Sequence, residues 1–311
     1  MIEVQDLTKK YGELTAVRNL SFKVERGKIW GLLGPNAAGK TTTMRILTGY
    51  LPATEGKASV AGFDVFEQPN ELKKAIGYLP EVVPLYPEMT VTGYLGFVAE
   101  IKQIPAAKRK AAVDRVLKSA ALEDVRGRLV KNISRGYKQR VGIAQAMIHD
   151  PQVLILDEPT IGLDPAQIKE IRELIRSLRG EHTIMLSTHI LPEVTQVCDG
   201  AVIINEGRLM ASGSLEELSA TLQARDKKGG VVLKVRRGAS EAAGLFRQIP
   251  GVESAVAEAD EVRLEWGRDR DLRDEVARLA VDQKLGLLEM RPSTLNMEEI
   301  YMKIVSGGLE Q

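Results

Sequence analysis

The chain of 311 residues contains a single cysteine, Cys198, so no disulfide can form within it and a disulfide-stapled secreted scaffold is excluded. Cys198 follows Val194 and Val197 in an apolar-periodic stretch and is expected to be a small buried residue. Long apolar runs are missing too. Nothing approaches the roughly 18 residues that a membrane helix needs, and the longest candidates, such as residues 153–156, have the length of a strand. The first ten residues, MIEVQDLTKK, lack the apolar centre of a signal peptide and read as an edge strand. Neither sign of charge dominates: 43 Lys and Arg face 42 Asp and Glu, a formal net charge of +1. That balance lacks the basic excess of nucleic-acid binders, so no nucleic acid is expected as a partner. The expectation is a soluble protein whose membrane role, if any, runs through a partner.

What remains is ordinary globular composition, 44% hydrophobic and 27% charged, in a chain long enough for one large domain and a smaller one. Short β-rich runs at residues 2–7, 15–24 and 28–33 precede a glycine-rich loop and a helix from about residue 40 to 48. Between about 94 and 130, Val113, Val116, Leu117 and Ala120 recur at helical spacing. Lys108, Arg109 and Lys110 fall on the other side and are expected to form a solvated face. Asp164-Pro165 marks a helix start, with Asp as N-cap and Pro in the first turn. A strand is expected at 184–187 and a hairpin at 201–211. The polar segment 220–230 reads as a linker. The remainder, 231–311, reads in the order βαββαβ with a terminal helix over 295–305, which suggests a small ferredoxin-like domain.

Two segments carry chemistry. Gly34-Pro35-Asn36-Ala37-Ala38-Gly39-Lys40-Thr41 matches G-x-x-x-x-G-K-[ST] and lies between a strand and a helix. The backbone N–H groups of such a loop cradle phosphate oxygens, and the following helix N-terminus adds to their pull. Lys40 brings a positive charge to the β- and γ-phosphates, and the Thr41 hydroxyl is placed to ligate Mg²⁺. The second segment, Val153-Leu154-Ile155-Leu156-Asp157-Glu158, is a buried strand that delivers two acids at its end. Adjacent strand residues point in opposite directions, so Asp157 is assigned to the metal and Glu158 to the general base that polarises water.

A resemblance now emerges. Asn132-Ile133-Ser134-Arg135-Gly136-Tyr137-Lys138-Gln139-Arg140 resembles the LSGGQ signature of ABC ATPases. Ile161-Gly162-Leu163-Asp164 looks like their D-loop, Ser187-Thr188-His189 like their switch histidine, and Tyr11-Gly12 stands where their aromatic A-loop stands. The resemblance covers about residues 1–215. It implies an α/β fold: a P-loop ABC ATPase core, mixed sheet with an antiparallel β subdomain and a helical subdomain. The domains are then 1–219 for the ATPase, with its helical subdomain at about 90–150, a linker at 220–230, and an accessory α+β domain at 231–311.

The resemblance also implies roles. Tyr11 would stack on adenine, and residues 34–42, Thr42 included, would hold the phosphates. Lys40, Glu158 and His189 would be the catalytic set, with Thr41, Asp157 and Glu81 around Mg²⁺. Ser134, Arg135, Gly136 and Tyr137 would face ATP held by a second ATPase subunit, and Asp164 would bridge that dimer. His149 and His182 are taken as structural or surface residues. The cofactors implied are ATP and Mg²⁺; the partners are a second, identical subunit and integral membrane permease subunits. The location implied is the cytoplasmic face of the cell membrane. The sequence is most similar to ATPase subunits of ABC-2-type exporters, in the gliding-motility and multidrug-export branches.

This chain departs from the family pattern in three places. Ala37 stands where glycine is usual and would be strained if the loop needs φ > 0. Glu81 replaces the usual Q-loop glutamine and adds negative charge beside Asp157 and Glu158. Tyr137 replaces the last glutamine of the signature. Two other readings stay open: a soluble ABC ATPase acting on DNA or in translation, and a non-catalytic ATP-binding module. Against the first stand the single ATPase cassette and the lack of long coiled-coil or zinc insertions. Against the second stands the joint presence of Lys40, Asp157, Glu158 and His189.

Overall fold

A computed structural model of the chain describes residues 1–225, 228–236, 238–267, 270–293 and 301. These residues fall into two compact units, divided between Leu215 and Glu216.

The first unit opens with a hairpin, β1 (Ile2–Tyr11) and β2 (Leu14–Val24), closed where Tyr11 pairs with Leu14 around Gly12 at φ 57°. β3 (Ile29–Leu33) leads through the glycine-rich loop into α1 (Lys40–Leu47). β4 (Glu55–Val60), β5 (Phe63–Asp64) and α2 (Pro69–Ala75) follow, then β6 (Ile76–Leu79). Three helices come next: α3 (Val91–Ile101), α4 (Ala106–Ser119) and α5 (Arg135–Met147). They pack on one another within the helical segment expected near residues 90–150. Val113, Val116, Leu117 and Ala120 are all buried, while Lys108 and Lys110 are exposed.

The core strands then arrive: β7 (Val153–Asp157), α6 (Pro165–Ser177), β8 (Thr183–Thr188), α7 (Leu191–Val197), β9 (Gly200–Asn205) and β10 (Arg208–Ser214). Among the described residues of this unit there are two sheets. One is antiparallel, β2-β1-β4-β5; the other runs β10-β9-β3-β8-β7-β6, parallel from β9 to β6 with β10 antiparallel at its edge. Every residue of β3, β7 and β8 is buried, as expected for parallel strands covered on both faces, and this is why they read as unbroken apolar runs. Cys198 is buried in this core at 6% exposure.

The strand order matters for the site. β8 lies between β3, which feeds the glycine-rich loop, and β7, which ends in the two acids. All three run parallel, so their carboxyl ends open on the same edge, where ligands of such sheets bind.

The second unit begins within α8 (Leu215–Arg225) and continues with β11 (Lys228–Val235), α9 (Ala239–Phe246), β12 (Val252–Glu258), β13 (Glu261–Gly267), α10 (Arg273–Asp282) and β14 (Leu287–Pro292). Its sheet is antiparallel throughout, in the order β12-β13-β11-β14, the arrangement of a ferredoxin-like βαββαβ unit. Its core gathers Val231, Leu233, Phe246, Leu264, Trp266 and Val276. The segment 220–230, expected as a linker, is different: residues 220–225 complete α8 and residues 228–230 already belong to β11. Its polar composition hid a helix whose first turn carries Glu216 and Glu217, where carboxylates favour the helix dipole. The terminal helix expected over 295–305 lies outside the described residues apart from Tyr301, which is helical.

Candidate active site

The glycine-rich loop is shaped by close approach and by backbone sign. A Cβ on Gly34 would lie 2.4 Å from the carbonyl oxygen of Ile204 on β9, so only glycine fits there. Gly39, at φ 100°, is the N-cap of α1 and turns the first N–H groups of that helix toward the loop. Ala37 sits at φ 64°, a conformation that costs a residue with a Cβ about 1–2 kcal/mol. The strain that an alanine would incur at this position is therefore present. Lys40 is 6% exposed and folds back over the loop, donating to the Gly34 oxygen at 2.8 Å and the Pro35 oxygen at 3.1 Å.

β8 brings Ser187 to the centre. Its hydroxyl donates to Asp157 Oδ1 at 2.6 Å and accepts the Glu158 N–H at 2.9 Å. Thr41 Oγ1 donates to the same Asp157 oxygen at 3.4 Å. Burial holds the Asp157 carboxyl above the usual carboxylate range, the Ser187 and Thr41 hydrogen bonds oppose that rise, and the charges of Glu81 and Glu158 add to it.

Glu158 follows in the left-handed region, φ 47°, and is 6% exposed. Its Oε1 lies 3.3 Å from Lys40 Nζ and its Oε2 lies 3.0 Å from His189 Nδ1. A non-glycine residue in this conformation at the end of a core strand is strained, and such strain persists only where surrounding contacts over-determine it. Here the Ser187 hydroxyl, Lys40 and His189 do so.

Lys40, Thr41, Glu158 and His189 line one cleft of about 640 Å³, a size suited to a small-molecule ligand, while Asp157 and Ser187 are buried and do not line it. The wall includes residues 36–42, Glu81, Glu158, Ile161 and His189, with Tyr11 at 46% exposure beside Leu14 and Ala16. Lys9 Nζ stands 5.2 Å from the centre of the Tyr11 ring. The arrangement joins a backbone cradle and an ammonium group for phosphates, an open aromatic face, and a buried carboxylate next to an imidazole. Thr41, Asp157 and Glu81 supply a hydroxyl and carboxylate oxygens. Among the described residues no group of three or more His, Cys, Asp or Glu forms a cage. That donor set fits Mg²⁺, which takes one or two carboxylates and completes its shell with water and phosphate.

The predicted signature stands apart from this cleft. Ser134 caps α5 by accepting the Tyr137 N–H at 3.3 Å. A Cβ on Gly136 would meet the Gln167 side chain at 2.8 Å, and one on Gly162 would meet the Arg135 guanidinium at 2.3 Å. Ser134, Arg135, Gly136 and Tyr137 are not among the residues that line the cleft holding Lys40. Asp164 accepts the Gln167 N–H at 2.9 Å as the N-cap of α6. His182 is buried with Nδ1 2.6 Å from the Pro151 oxygen, and His149 is half-buried beside the Ile76 oxygen. Sequence reading missed the bridging role of Ser187, which depends on β8 lying between β3 and β7. It also missed the walls given by Leu14 and Ala16, whose types carry no chemical signal, and named Ile161 only within the D-loop.

The sequence model of a family described as "ABC transporter" matches residues 17–161. The chain is 36% identical to the bacitracin transport ATP-binding protein BcrA of Bacillus licheniformis, over 99% of this chain and 98% of that one. It is 38% identical to the Nod factor export ATP-binding protein I of Ralstonia nicotianae, over 70% of this chain and 68% of that one. Its fold is similar to the dimeric structure of MJ0796, a bacterial ABC transporter cassette. The TM-score is 0.62 at 25% identity, with 69% of this chain and 99% of that one covered.

Proposed function

The chain belongs to the ABC transporter family as an ATP-binding, ATP-hydrolysing subunit, and from that premise we propose that it is of ABC-2 exporter type and that its residues divide the work as follows. Residues 34–42 and the N-terminus of α1 hold the phosphates of ATP, and Tyr11 offers its exposed face to adenine. Lys40 exchanges the Gly34 and Pro35 carbonyls for phosphate oxygens. Glu158 accepts the proton of the attacking water as that water's oxygen bonds to the γ-phosphorus. The bond from that phosphorus to the bridging oxygen then breaks, leaving ADP and phosphate. His189 steers the Glu158 carboxylate through Nδ1 and stands in the wall of the cleft where the γ-phosphate would lie. Thr41, Asp157 and Glu81 are the residues that would hold Mg²⁺, whose charge neutralises the phosphate oxygens when it is bound.

The observation that carries this reading is Glu158 itself: buried, in a strained backbone conformation, and held between Lys40 at 3.3 Å and His189 at 3.0 Å.

Members of this family pair with one another and with membrane permeases. For this chain we infer a homodimer in which Ser134, Arg135, Gly136 and Tyr137 of one copy face the ATP of the other. Asp164 lies near that contact. The separation of the signature from the cleft of its own chain supports this, since only a second copy can bring the two together. Permease contact through residues 82–90 is supported by Val82 at 80% and Tyr86 at 51% exposure. Among the described residues no helix is long and apolar enough to cross a membrane, which supports a peripheral place at the inner membrane face through the permease. Export as the direction is supported by the relative named for Nod factor export.

Glu158→Gln tests the assignment. It should bind ATP, accumulate as an ATP-dependent dimer on size-exclusion chromatography, and lose about 10²- to 10⁴-fold in kcat, the usual contribution of a general base. A variant that stays monomeric with ATP while releasing phosphate at the wild-type rate would refute it.

A further inference from the structure

Glu193 lies in the first turn of α7, four residues after His189, and is 2% exposed. Burying a carboxylate is unfavourable unless its oxygens are matched by donors. Here each oxygen has one. Thr160 donates its hydroxyl to Oε1, and Thr188 donates to Oε2 at 2.6 Å. Arg172 Nη2 approaches Oε1 at 3.8 Å from α6. Both threonines are themselves buried, Thr160 at 4% and Thr188 at 0% exposure.

The places of these two threonines give the arrangement its meaning. Thr160 stands two residues after Glu158, in a turn where the Glu158 oxygen accepts the Ile161 N–H at 3.2 Å. Thr188 immediately precedes His189, and its hydroxyl also accepts the Ile190 N–H at 3.0 Å, so it brackets the histidine from both sides. Neither threonine nor Glu193 lines the cleft. One buried side chain thus joins two backbone segments that come from different strands, β7 and β8, and that carry the two groups meeting at 3.0 Å.

We propose that Glu193 is a positioning residue for ATP hydrolysis, clamping the backbone that carries Glu158 to the backbone that carries His189 through Thr160 and Thr188. The clamp rests on the roles assigned above to Glu158 and His189. A satisfied buried network of this kind rigidifies the segments it joins. Its effect falls on the chemical step, because the phosphate loop that dominates ATP affinity is not part of it.

The test uses the full-length chain and follows kcat, KM for ATP, binding of a fluorescent ATP analogue and the thermal midpoint. Thr188→Val keeps the shape and removes the hydroxyl, Thr188→Ser keeps the hydroxyl, and Glu193→Gln keeps the size and removes the charge. Thr188→Val and Glu193→Gln should lose about 10- to 100-fold in kcat, as expected for a misplaced catalytic group, with nucleotide affinity changed less than about threefold. Thr188→Ser should stay within about threefold of wild type. Thr188→Val combined with His189→Ala should lose less than the product of the two single losses, because the clamp acts in part through that residue. Wild-type turnover in Thr188→Val and Glu193→Gln, equal loss in Thr188→Ser and Thr188→Val, or losses that multiply in the double variant would each overturn the proposal. If Glu193→Gln does not fold, the Thr188 pair decides. Loss of activity in Glu158→Gln and His189→Ala without loss in Thr188→Val sinks the clamp alone. Full activity in Glu158→Gln sinks the parent assignment with it.

Discussion

Ser187→Ala probes the join between the two acids and the strand that separates them from the phosphate loop. Ser187 is 0% exposed, donates to Asp157 at 2.6 Å and accepts from the Glu158 N–H at 2.9 Å. Alanine removes a hydrogen bond to a carboxylate, about 1.5–3 kcal/mol, and orphans a buried N–H, about 1–3 kcal/mol. Both effects pass through one oxygen, so they do not simply add, and a total near 3 kcal/mol is expected. In a unit of this size each kcal/mol moves the thermal midpoint by about 2–4 °C, so the midpoint should fall by about 6–12 °C. The same N–H tether helps to hold Glu158 at φ 47°. Once released, Glu158 can relax toward negative φ and swing its carboxylate away from Lys40 and His189. A displacement on that scale should cost about 10²-fold in kcat. The loop at residues 34–41 keeps its own contacts, so affinity for a slowly hydrolysed ATP analogue should change less than about threefold. Phosphate release, analogue binding and a thermal melt on the same preparation measure all three. A midpoint within about 2 °C of wild type together with kcat within about twofold would refute the reasoning.

Gly34→Ala should lose ATP binding by well over tenfold in a fluorescent-nucleotide titration, because the new Cβ would sit 2.4 Å from a β9 backbone oxygen and must displace the loop. Ala37→Gly should do the opposite. Relief of the left-handed alanine, about 1–2 kcal/mol, exceeds the entropy glycine loses on folding, about 0.5–1 kcal/mol, so urea unfolding should show a small net gain. Burial, and then the Lys102 charge, lower the His149 imidazole to about 4. A group whose folded value lies below its unfolded value stabilises above the unfolded value and loses that contribution as pH falls. Urea midpoints should therefore drop as pH goes from about 6.5 toward 4, and His149→Gln should flatten that drop. A pH slope unchanged by the substitution would show that His149 is not its source.

The cradle was legible because its motif is contiguous, Gly34 to Thr41, and residues 153–158 carry burial and acidity in a single run. The reason position 34 must be glycine was not legible, because it is the approach of the Ile204 oxygen on β9. The βαββαβ order of the C-terminal unit was legible from alternating periodicities in the same way. Segment 220–230 was not, because polar residues suit a helix as well as a linker, and composition does not separate them.

By itself the sequence determined a glycine-rich loop between a strand and a helix, an acidic strand end, and motifs in an order that identifies the family. The loop and the strand end each depend on residues within one turn or strand of each other, and the motif order is read along the chain. Only the tertiary structure decided that β8 enters between β3 and β7, so that Ser187 touches both acids, Glu158 reaches Lys40 and His189 at once, and Glu193 links their two backbones. Strand order is a long-range choice made by packing across the sheet, and no spacing along the chain encodes it locally.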